Sequence, residues 1–225
     1  MIPLVIPTIA CALACAVLVV GEHRKSKLQR AIAKPIASLA FVATAALAMT
    51  AGEPAVPSFG DYQLAIVIGL VLGVAGDIAL LGKSSRAFLA GLGAFLLGHI
   101  AYVVAFAQLA PHETWLHPLA AIPAGLGLVV LRLLWPRLGN MRVPVIIYVI
   151  AIVTMMAAAI GVARTEAVPE TNRWLAFAGA ALFFVSDLAV ARDRFVAATF
   201  ANRAWGLPAY YAGQLLLAWS LWIRS

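Results

Sequence analysis

The stretch that decides the fold is residues 143–163, which reads VPVIIYVIAIVTMMAAAIGVA and contains no charged side chain. A helix needs about 20 apolar residues to cross the ~30 Å hydrocarbon core of a bilayer, so this stretch is long enough to span one. The rest of the chain has the same character, because 64% of its 225 residues are hydrophobic, 11% are charged and the mean hydropathy is +0.99. We therefore expect an all-α polytopic membrane protein and exclude a water-soluble globular protein.

Apolar runs separated by polar breaks predict eight transmembrane helices in a single helix-bundle domain that covers residues 1–225. The predicted spans are residues 3–20, 34–50, 62–82, 88–109, 115–134, 143–163, 174–191 and 205–223. Eight spans of about 20 residues leave too little chain for an extramembrane domain. Any chemistry must therefore be carried by side chains inside the bundle or at its rims.

The distribution of basic residues predicts the orientation of the bundle. The chain has 16 Lys and Arg against 9 Asp and Glu, a net charge of +7, and most of the basic residues lie in or beside the first, third, fifth and seventh connections. By the positive-inside rule these connections face the cytoplasm and both termini are non-cytoplasmic, in a multi-pass protein of the inner or plasma membrane. Because topology accounts for the basic excess, we expect the lipid bilayer as a partner and no nucleic acid.

Asp77 and Asp187 are the acidic residues that the predicted spans cannot place in a loop. A carboxylate inside a span costs at least a few kcal/mol, so it marks a functional site by default. Each lies about one turn before the predicted cytoplasmic end of its helix, and Lys34 opens the second helix from the same side. A structural ion pair with Lys34 or Arg86 is the alternative for one aspartate, but one lysine does not easily neutralise two carboxylates. We therefore predict that the two aspartates form a functional pair.

Other polar side chains converge on the same half of the bundle. The eighth helix carries three of them within its first two to three turns, and the fourth helix carries His99 with Tyr102 one turn beyond it on roughly the same face. The last two lie deeper and would form the floor of a cavity that opens toward the cytoplasm. The predicted substrate-binding residues are Lys34, His99, Tyr102, Ser186, Tyr210, Tyr211 and Gln214.

A faint internal repeat relates the two aspartates. Residues 76–80, GDIAL, end the third helix, and residues 186–190, SDLAV, end the seventh helix, four helices later. Each segment is followed by a basic loop, a phenylalanine and a helix with polar side chains. Because helices four apart run in the same direction, the pattern predicts a parallel 4+4 duplication whose halves meet at Asp77 and Asp187.

Five short motifs occur in order at the predicted helix ends. They are Lys34-Pro35, Gly76-Asp77, residues 95–102 (FLLGHIAY), Ser186-Asp187 and residues 210–214 (YYAGQ). Together they resemble the YhhN-like lysoplasmalogenase family of eight-helix membrane proteins, over about residues 30–220. The resemblance implies an ether hydrolase that cleaves the vinyl ether bond of a lysoplasmalogen, which is a lysophospholipid. The implied products are a fatty aldehyde and glycerophospho-ethanolamine or glycerophospho-choline.

The candidate residues suit this chemistry independently of the resemblance. Vinyl ether hydrolysis needs a positioned acid that protonates the outer alkene carbon, and an anionic group that stabilises the oxocarbenium ion and deprotonates water. We predict Asp77 and Asp187 as the catalytic residues. Our interpretation takes Asp77, placed toward His99, as the acid and Asp187 as the base.

The same reasoning predicts how the headgroup is held and which cofactors are needed. Lys34 with Arg86 or Arg203 is the predicted phosphate site. No cofactor and no metal is expected, because protonation of an alkene needs a proton donor rather than a Lewis acid. A zinc site built from the two aspartates and His99 is the lesser alternative.

Two alternatives from other functional classes stay open. A small proton-coupled transporter would also place paired acids in a duplicated bundle, although both aspartates lie toward one side rather than near the midplane. A non-catalytic lipid-binding membrane protein would hold the aspartates in structural ion pairs. That alternative predicts that neutralising Asp77 harms folding more than any activity.

Overall fold

The computed structural model describes residues 2–51, 59–82, 84–166 and 168–222. Over these residues the chain is helical and contains no strand, so the all-α prediction is confirmed. The α-helices are α1 (Ile2–His23), α2 (Lys27–Ala51), α3 (Phe59–Ala79), α4 (Ser85–Leu109), α5 (Ala121–Leu138), α6 (Arg142–Arg164), α7 (Glu170–Phe195) and α8 (Phe200–Trp219). Short 3₁₀ turns precede α5 and α6.

Most of these helices have the length and composition of membrane spans. Six apolar stretches of the described residues are able to cross a bilayer by these two measures. One of them, Pro118–Arg164, is 47 residues long and contains two helices, so the six stretches include α1 to α7. Residue 223, the predicted end of the eighth span, lies outside the described residues.

Three of the helices that begin earlier than the hydrophobic pattern predicts have a side chain that caps the start. The capping residues are Ser26 for α2, Ser84 for α4 and Thr199 for α8, and each accepts a backbone N–H three residues later. Such a cap satisfies one of the free N–H groups of the first turn, so the helix extends beyond the apolar run into polar sequence. Lys34 and Pro35 therefore lie about two turns inside α2 rather than at its start.

The ends of α3 and α7 also differ from the prediction. α3 ends at Ala79 rather than at residue 82, so Asp77 lies in its last turn. α7 continues to Phe195 rather than ending at residue 191, so Asp187 lies about two turns before its end. Two arginines in the last turn of α7 suit the negative end of the helix dipole, which favours this extension.

Small residues let the helices around the two aspartates approach closely. Between α3 and α4, a Cβ atom at Gly76 would lie 2.8 Å from the Phe95 ring. Between α7 and α8, a Cβ atom at Gly213 would lie 2.9 Å from the carbonyl oxygen of Gly179. α2 and α8 also pack on α3, and α6 packs on both α4 and α7. The helices that carry Asp77 and Asp187 are thus each surrounded by neighbours that supply partners, whereas α5 is peripheral and packs mainly against α6.

Candidate functional site

A polar cavity of about 710 Å³ opens at one end of the bundle. Its walls come from the C-terminal parts of α1, α3 and α7 and the N-terminal parts of α2, α4 and α8. The predicted site residues in its wall are Lys34, Asp77, Ser186, Asp187 and Tyr210. Two elements that are far apart in sequence therefore bring both aspartates to one cavity.

The Asp77 carboxylate is surrounded by donors. Its side chain is 3% exposed, and Lys34 Nζ lies 3.1 Å from its Oδ1 atom. Ser38, one turn after Lys34 on the same face of α2, donates its hydroxyl to Oδ2 at 2.6 Å. Tyr211 of α8 donates to the same oxygen at 3.3 Å. One cation and two hydroxyl donors together stabilise an ionised carboxylate at this position.

The Asp187 carboxylate has a different set of partners. Tyr148 of α6 donates its hydroxyl to Oδ2 at 3.0 Å, and His99 Nε2 of α4 lies 3.2 Å from the same oxygen. The histidine is fully buried, stacks on Phe183 with ring centroids 4.3 Å apart, and meets Tyr148 edge-on. Within the described residues, no lysine or arginine pairs with Asp187.

The tautomer of His99 follows from its other ring nitrogen. Nδ1 lies 2.7 Å from the carbonyl oxygen of Phe95, and because a carbonyl only accepts, Nδ1 must carry a hydrogen. The Nε2 contact with Asp187 is not aligned well enough for a full hydrogen bond. An ionised Asp187 would repel a lone pair on Nε2, and a proton between these two atoms would relieve that repulsion. The geometry of the His99–Asp187 pair is therefore suited to holding a transferable proton.

Three further polar side chains, Tyr210, Tyr102 and Gln214, lie beside α3, the helix that carries Asp77. Tyr210 lies near the Asp77 carboxylate, but among the described residues its buried hydroxyl makes no hydrogen bond of good geometry. Tyr102 donates to Gln214 Oε1 at 2.5 Å, and the buried Gln214 Nε2 atom has no hydrogen-bond partner in the part of the chain that the structure describes. A Cβ atom at Gly73 would come within 2.9 Å of the Tyr210 hydroxyl and 3.9 Å of Gln214 Nε2, so this glycine keeps a small space open between two unpaired polar groups.

The mouth of the polar cavity is predominantly basic. We call the residues Lys27, Arg30, Arg194 and Arg203 the basic rim. Arg203 is neutralised by Glu22 at 2.6 Å and Asp193 at 3.1 Å. Burial lowers the pKa of the Arg203 guanidinium, but hydrogen bonds to these two carboxylates outweigh burial and raise that pKa above its usual value.

Two rim cations are placed differently from Arg203. Arg194 lies over the Phe88 ring, 4.2 Å from its centroid, and Lys27 lines the cavity. In the described part of the chain neither forms an ion pair with an acidic side chain, so both are able to take an anionic ligand. Arg86, one of the residues expected to receive a phosphate, does not line this cavity.

Comparison with known proteins places this chain in a family. The family model described as the YhhN family matches residues 29–221. The chain belongs to the YhhN family. The resemblance found in the sequence motifs is thereby confirmed, and with it the multi-pass membrane character of the protein.

Relatives of this YhhN-family chain carry two kinds of name. An Escherichia coli O6:H1 protein named "Uncharacterized membrane protein YhhN" is 27% identical over 96% of this chain and 98% of its own length. A Mycobacterium bovis protein named "Lysoplasmalogenase" is 32% identical over 79% of this chain and 67% of its own. A Bos taurus protein named "Lysoplasmalogenase TMEM86A" is 32% identical over 69% of this chain and 64% of its own. No solved structure matches the chain.

The predicted site residues of the YhhN-family chain fall into two groups. Seven of the nine line the polar cavity or contact one of its aspartates, but the partners differ from our interpretation, because His99 pairs with Asp187 and not with Asp77. Tyr102 and Gln214 bond to each other at a deeper level and contact neither aspartate. The two aspartates and His99 do not gather into a metal-binding group, and the described residues contain no cluster of three or more such ligands.

Ser38 and Tyr148 contact the aspartates and were not predicted from the sequence. Ser38 lies 39 residues before Asp77, and Tyr148 lies 39 residues before Asp187. A serine one turn after Lys34 on one helix face was a usable signal. Tyr148 lies in an uncharged span and looks like an ordinary apolar-face residue, so only the spacing of the internal repeat would have pointed to it.

Proposed function

We propose that this YhhN-family protein is a membrane hydrolase that cleaves the vinyl ether bond of lysoplasmalogens, yielding a fatty aldehyde and glycerophospho-ethanolamine or glycerophospho-choline. The observation that carries the proposal is that two carboxylates with different partners line one cavity. Asp77 contacts Lys34, Ser38 and Tyr211, which are donors that favour an anion, while Asp187 lies beside His99, and we propose that these two share a proton. The relatives named lysoplasmalogenase support the same reaction.

The proposed first step transfers the proton of the His99–Asp187 pair to the outer alkene carbon. The alkene π electrons form the new C–H bond, and the ether carbon becomes an oxocarbenium ion whose positive charge the Asp77 carboxylate stabilises. This assignment of acid and base is the reverse of the one that we inferred from the sequence. We reverse it because Lys34 lies beside Asp77 and His99 lies beside Asp187.

The second step adds water to the oxocarbenium carbon. Asp77 takes a proton from the water as the new C–O bond forms, which gives a hemiacetal. The bond from this carbon to the glycerol oxygen then breaks, that oxygen takes up the proton from Asp77, and the hemiacetal hydroxyl returns its proton to the His99–Asp187 pair as the aldehyde forms. Tyr210 and Gln214, with their unpaired polar atoms beside Gly73, are the proposed ligands of the water.

The basic rim is the proposed phosphate site. Arg194 and Lys27 are the proposed phosphate ligands, because Lys34 is neutralised by Asp77 and Arg203 by Glu22 and Asp193. A phosphodiester carries one negative charge, and an arginine at a cavity mouth binds it through paired hydrogen bonds.

The proposed topology has eight spans, with both termini non-cytoplasmic and a parallel 4+4 duplication. The repeat is supported by the donors Ser38 and Tyr148, which precede Asp77 and Asp187 by the same 39 residues and come from α2 and α6, four helices apart. The basic rim supports a cytoplasmic opening of the polar cavity, since basic residues are retained on that side.

The direct test is product formation by the purified protein in nanodiscs. Incubation with an alkenyl lysophosphatidylethanolamine should release the aldehyde and the glycerophospho headgroup in equal amounts, as measured by mass spectrometry. Asp187→Asn should lower the release of both products by about 10²-fold or more, whereas Glu170→Gln, a change to an exposed acid at the opposite end of the same helix, should leave it at the wild-type rate. Absence of aldehyde from the wild-type protein, or wild-type turnover by Asp187→Asn, contradicts the proposal.

A further inference from the structure

A second cavity lies beside the polar one, between α4, α5, α6 and α7. This apolar crevice encloses about 80 Å³ and is lined mainly by aliphatic and aromatic side chains such as Leu92, Val130, Leu134, Val145 and Val149. Among all its lining residues, Asp187 has the only charged group and Tyr148 the only hydroxyl. The crevice thus suits a hydrocarbon everywhere except at its Asp187 end.

The apolar crevice and the polar cavity meet at Asp187. Both are lined by this aspartate and by Leu80, Phe88, Phe95 and Val190, so the two cavities adjoin at these residues. Asp77 lines only the polar cavity. A molecule that occupies both spaces must be polar at the basic rim, apolar in the crevice, and must pass Asp187 where its two parts join.

We propose that the apolar crevice binds the first carbons of the aliphatic chain of the lipid substrate, and that Asp187 therefore faces the chain-side carbon of the bond that reacts. The proposal rests on the proposed function. In a vinyl ether lysolipid the carbon to be protonated is on the chain side, and the carbon that accepts water is bonded to the ether oxygen on the glycerol side. With the phosphate at the basic rim and the chain in the apolar crevice, the chain-side carbon lies toward Asp187. The carbon bonded to the ether oxygen then lies toward Asp77.

The volume of the crevice limits how much of the chain it holds. A long aliphatic chain is several times larger than 80 Å³, so only its first carbons are enclosed. The rest of the chain leaves past α5, the peripheral helix, whose outer residues Leu128 and Leu133 are exposed. Leaving a bilayer for an apolar crevice gains no hydrophobic free energy, so the crevice positions the chain and the headgroup supplies the affinity. Chain length beyond the first carbons should therefore have little effect on turnover.

The test uses a ligand that does not react, so that it is independent of hydrolysis. A saturated alkyl ether lysophosphatidylethanolamine with a diazirine on the fourth chain carbon is photolysed with the wild-type protein in nanodiscs, and the labelled residues are mapped by mass spectrometry. Labels should concentrate on crevice residues of α5, α6 and α7, and an excess of the unlabelled ether lysolipid should remove them. Labels spread over the outer face of α5 and insensitive to this competitor would show ordinary bilayer contact and overturn the proposal.

A matched pair of variants adds a functional measurement. Val130 lines the crevice, and the adjacent Val129 is 55% exposed on the outer face of the same helix. Val130→Phe should lower both crevice labelling and kcat/KM for the lysoplasmalogen by about tenfold or more, because misplacing a reacting atom by ~1 Å can cost about 10²-fold. Val129→Phe should change neither. Equal effects of the two variants contradict the chain site, whereas competed crevice labelling without any hydrolysis by the wild-type protein leaves the chain site standing and overturns the proposed function.

Discussion

Asp77 and Asp187 sit in nearly the same local sequence, GDIAL and SDLAV, but face different neighbours. Asp77 contacts a lysine and two hydroxyl donors, whereas Asp187 contacts a histidine and one tyrosine. Neither set of partners comes from the helix that carries the aspartate. The surroundings of each carboxylate are therefore decided by the helices that pack against it and not by its own segment.

The largest effects should come from neutralising each aspartate. The unfolding temperature should then distinguish the Asp77 variant from the Asp187 variant. Asp77→Asn and Asp187→Asn should each lower turnover by about 10²-fold or more, the usual scale for a general acid or base. Asp77→Asn alone should also lower the unfolding temperature, because it leaves Lys34 as a buried uncompensated charge, and breaking a buried pair costs about 3–5 kcal/mol. Turnover and thermal unfolding are measured on the same preparations.

A double variant distinguishes a catalytic Asp77 from a purely structural one. Combining Asp77→Asn with Lys34→Met removes both charges, so the unfolding temperature should recover while turnover stays low. Recovery of turnover together with stability would mean that Asp77 acts only as a partner of Lys34. Asp61→Asn, at the exposed opposite end of α3, is the control and should alter neither quantity.

The next largest effect concerns the proton store on the Asp187 side. His99→Ala should lower turnover by about 10- to 10²-fold, because Asp187 then lacks the group that shares its proton. Added imidazole should restore part of the rate in the His99→Ala variant and should not restore it in Asp187→Asn. Lack of any rescue, with the variant correctly folded, would speak against proton storage by the pair.

Smaller effects should follow from removing the hydroxyl donors. Ser38→Ala removes a 2.6 Å hydrogen bond to the Asp77 anion, and Tyr148→Phe removes a 3.0 Å bond to Asp187. Hydrogen bonds to charged groups contribute about 1.5–3 kcal/mol and ordinary ones about 1 kcal/mol, so we expect a loss of at least tenfold for Ser38→Ala and several-fold for Tyr148→Phe. Steady-state kcat measures both. A reversed order would indicate that Asp187, not Asp77, carries the negative charge.

The smallest effect should come from substitutions in the basic rim, at the mouth of the polar cavity. Arg194→Gln should raise KM a few-fold with little change in kcat, and it should weaken the dependence of KM on salt, since it removes a partly exposed phosphate ligand. Arg203→Gln should change KM less, because that arginine already pairs with Glu22 and Asp193. Equal KM effects of the two substitutions would contradict the assignment of the phosphate to Arg194.

Features that depend on position along a span could be predicted from the sequence, whereas helix starts that depend on side-chain caps were missed. The depth of Asp77 and Asp187, and the gathering of Lys34, Ser186 and Tyr210 at the same end of the bundle, follow from counting residues along spans. The helix starts at Lys27 and Phe200 were missed because side-chain caps, and not hydrophobicity, determine them. Reading Ser26 and Thr199 as caps would have found these starts.

The amino-acid sequence by itself determined that this is an all-α membrane protein of the YhhN family with two acids buried toward one end. A bilayer requires every spanning backbone to form helix, so apolar length alone specifies the elements and the rare charges stand out. Only the tertiary structure decided that His99 pairs with Asp187, that Tyr148 joins them, and that an apolar crevice opens beside Asp187. These features depend on which faces of α4, α5, α6 and α7 meet, and helix packing in an apolar solvent rests on local shape and small residues that no hydrophobic pattern encodes.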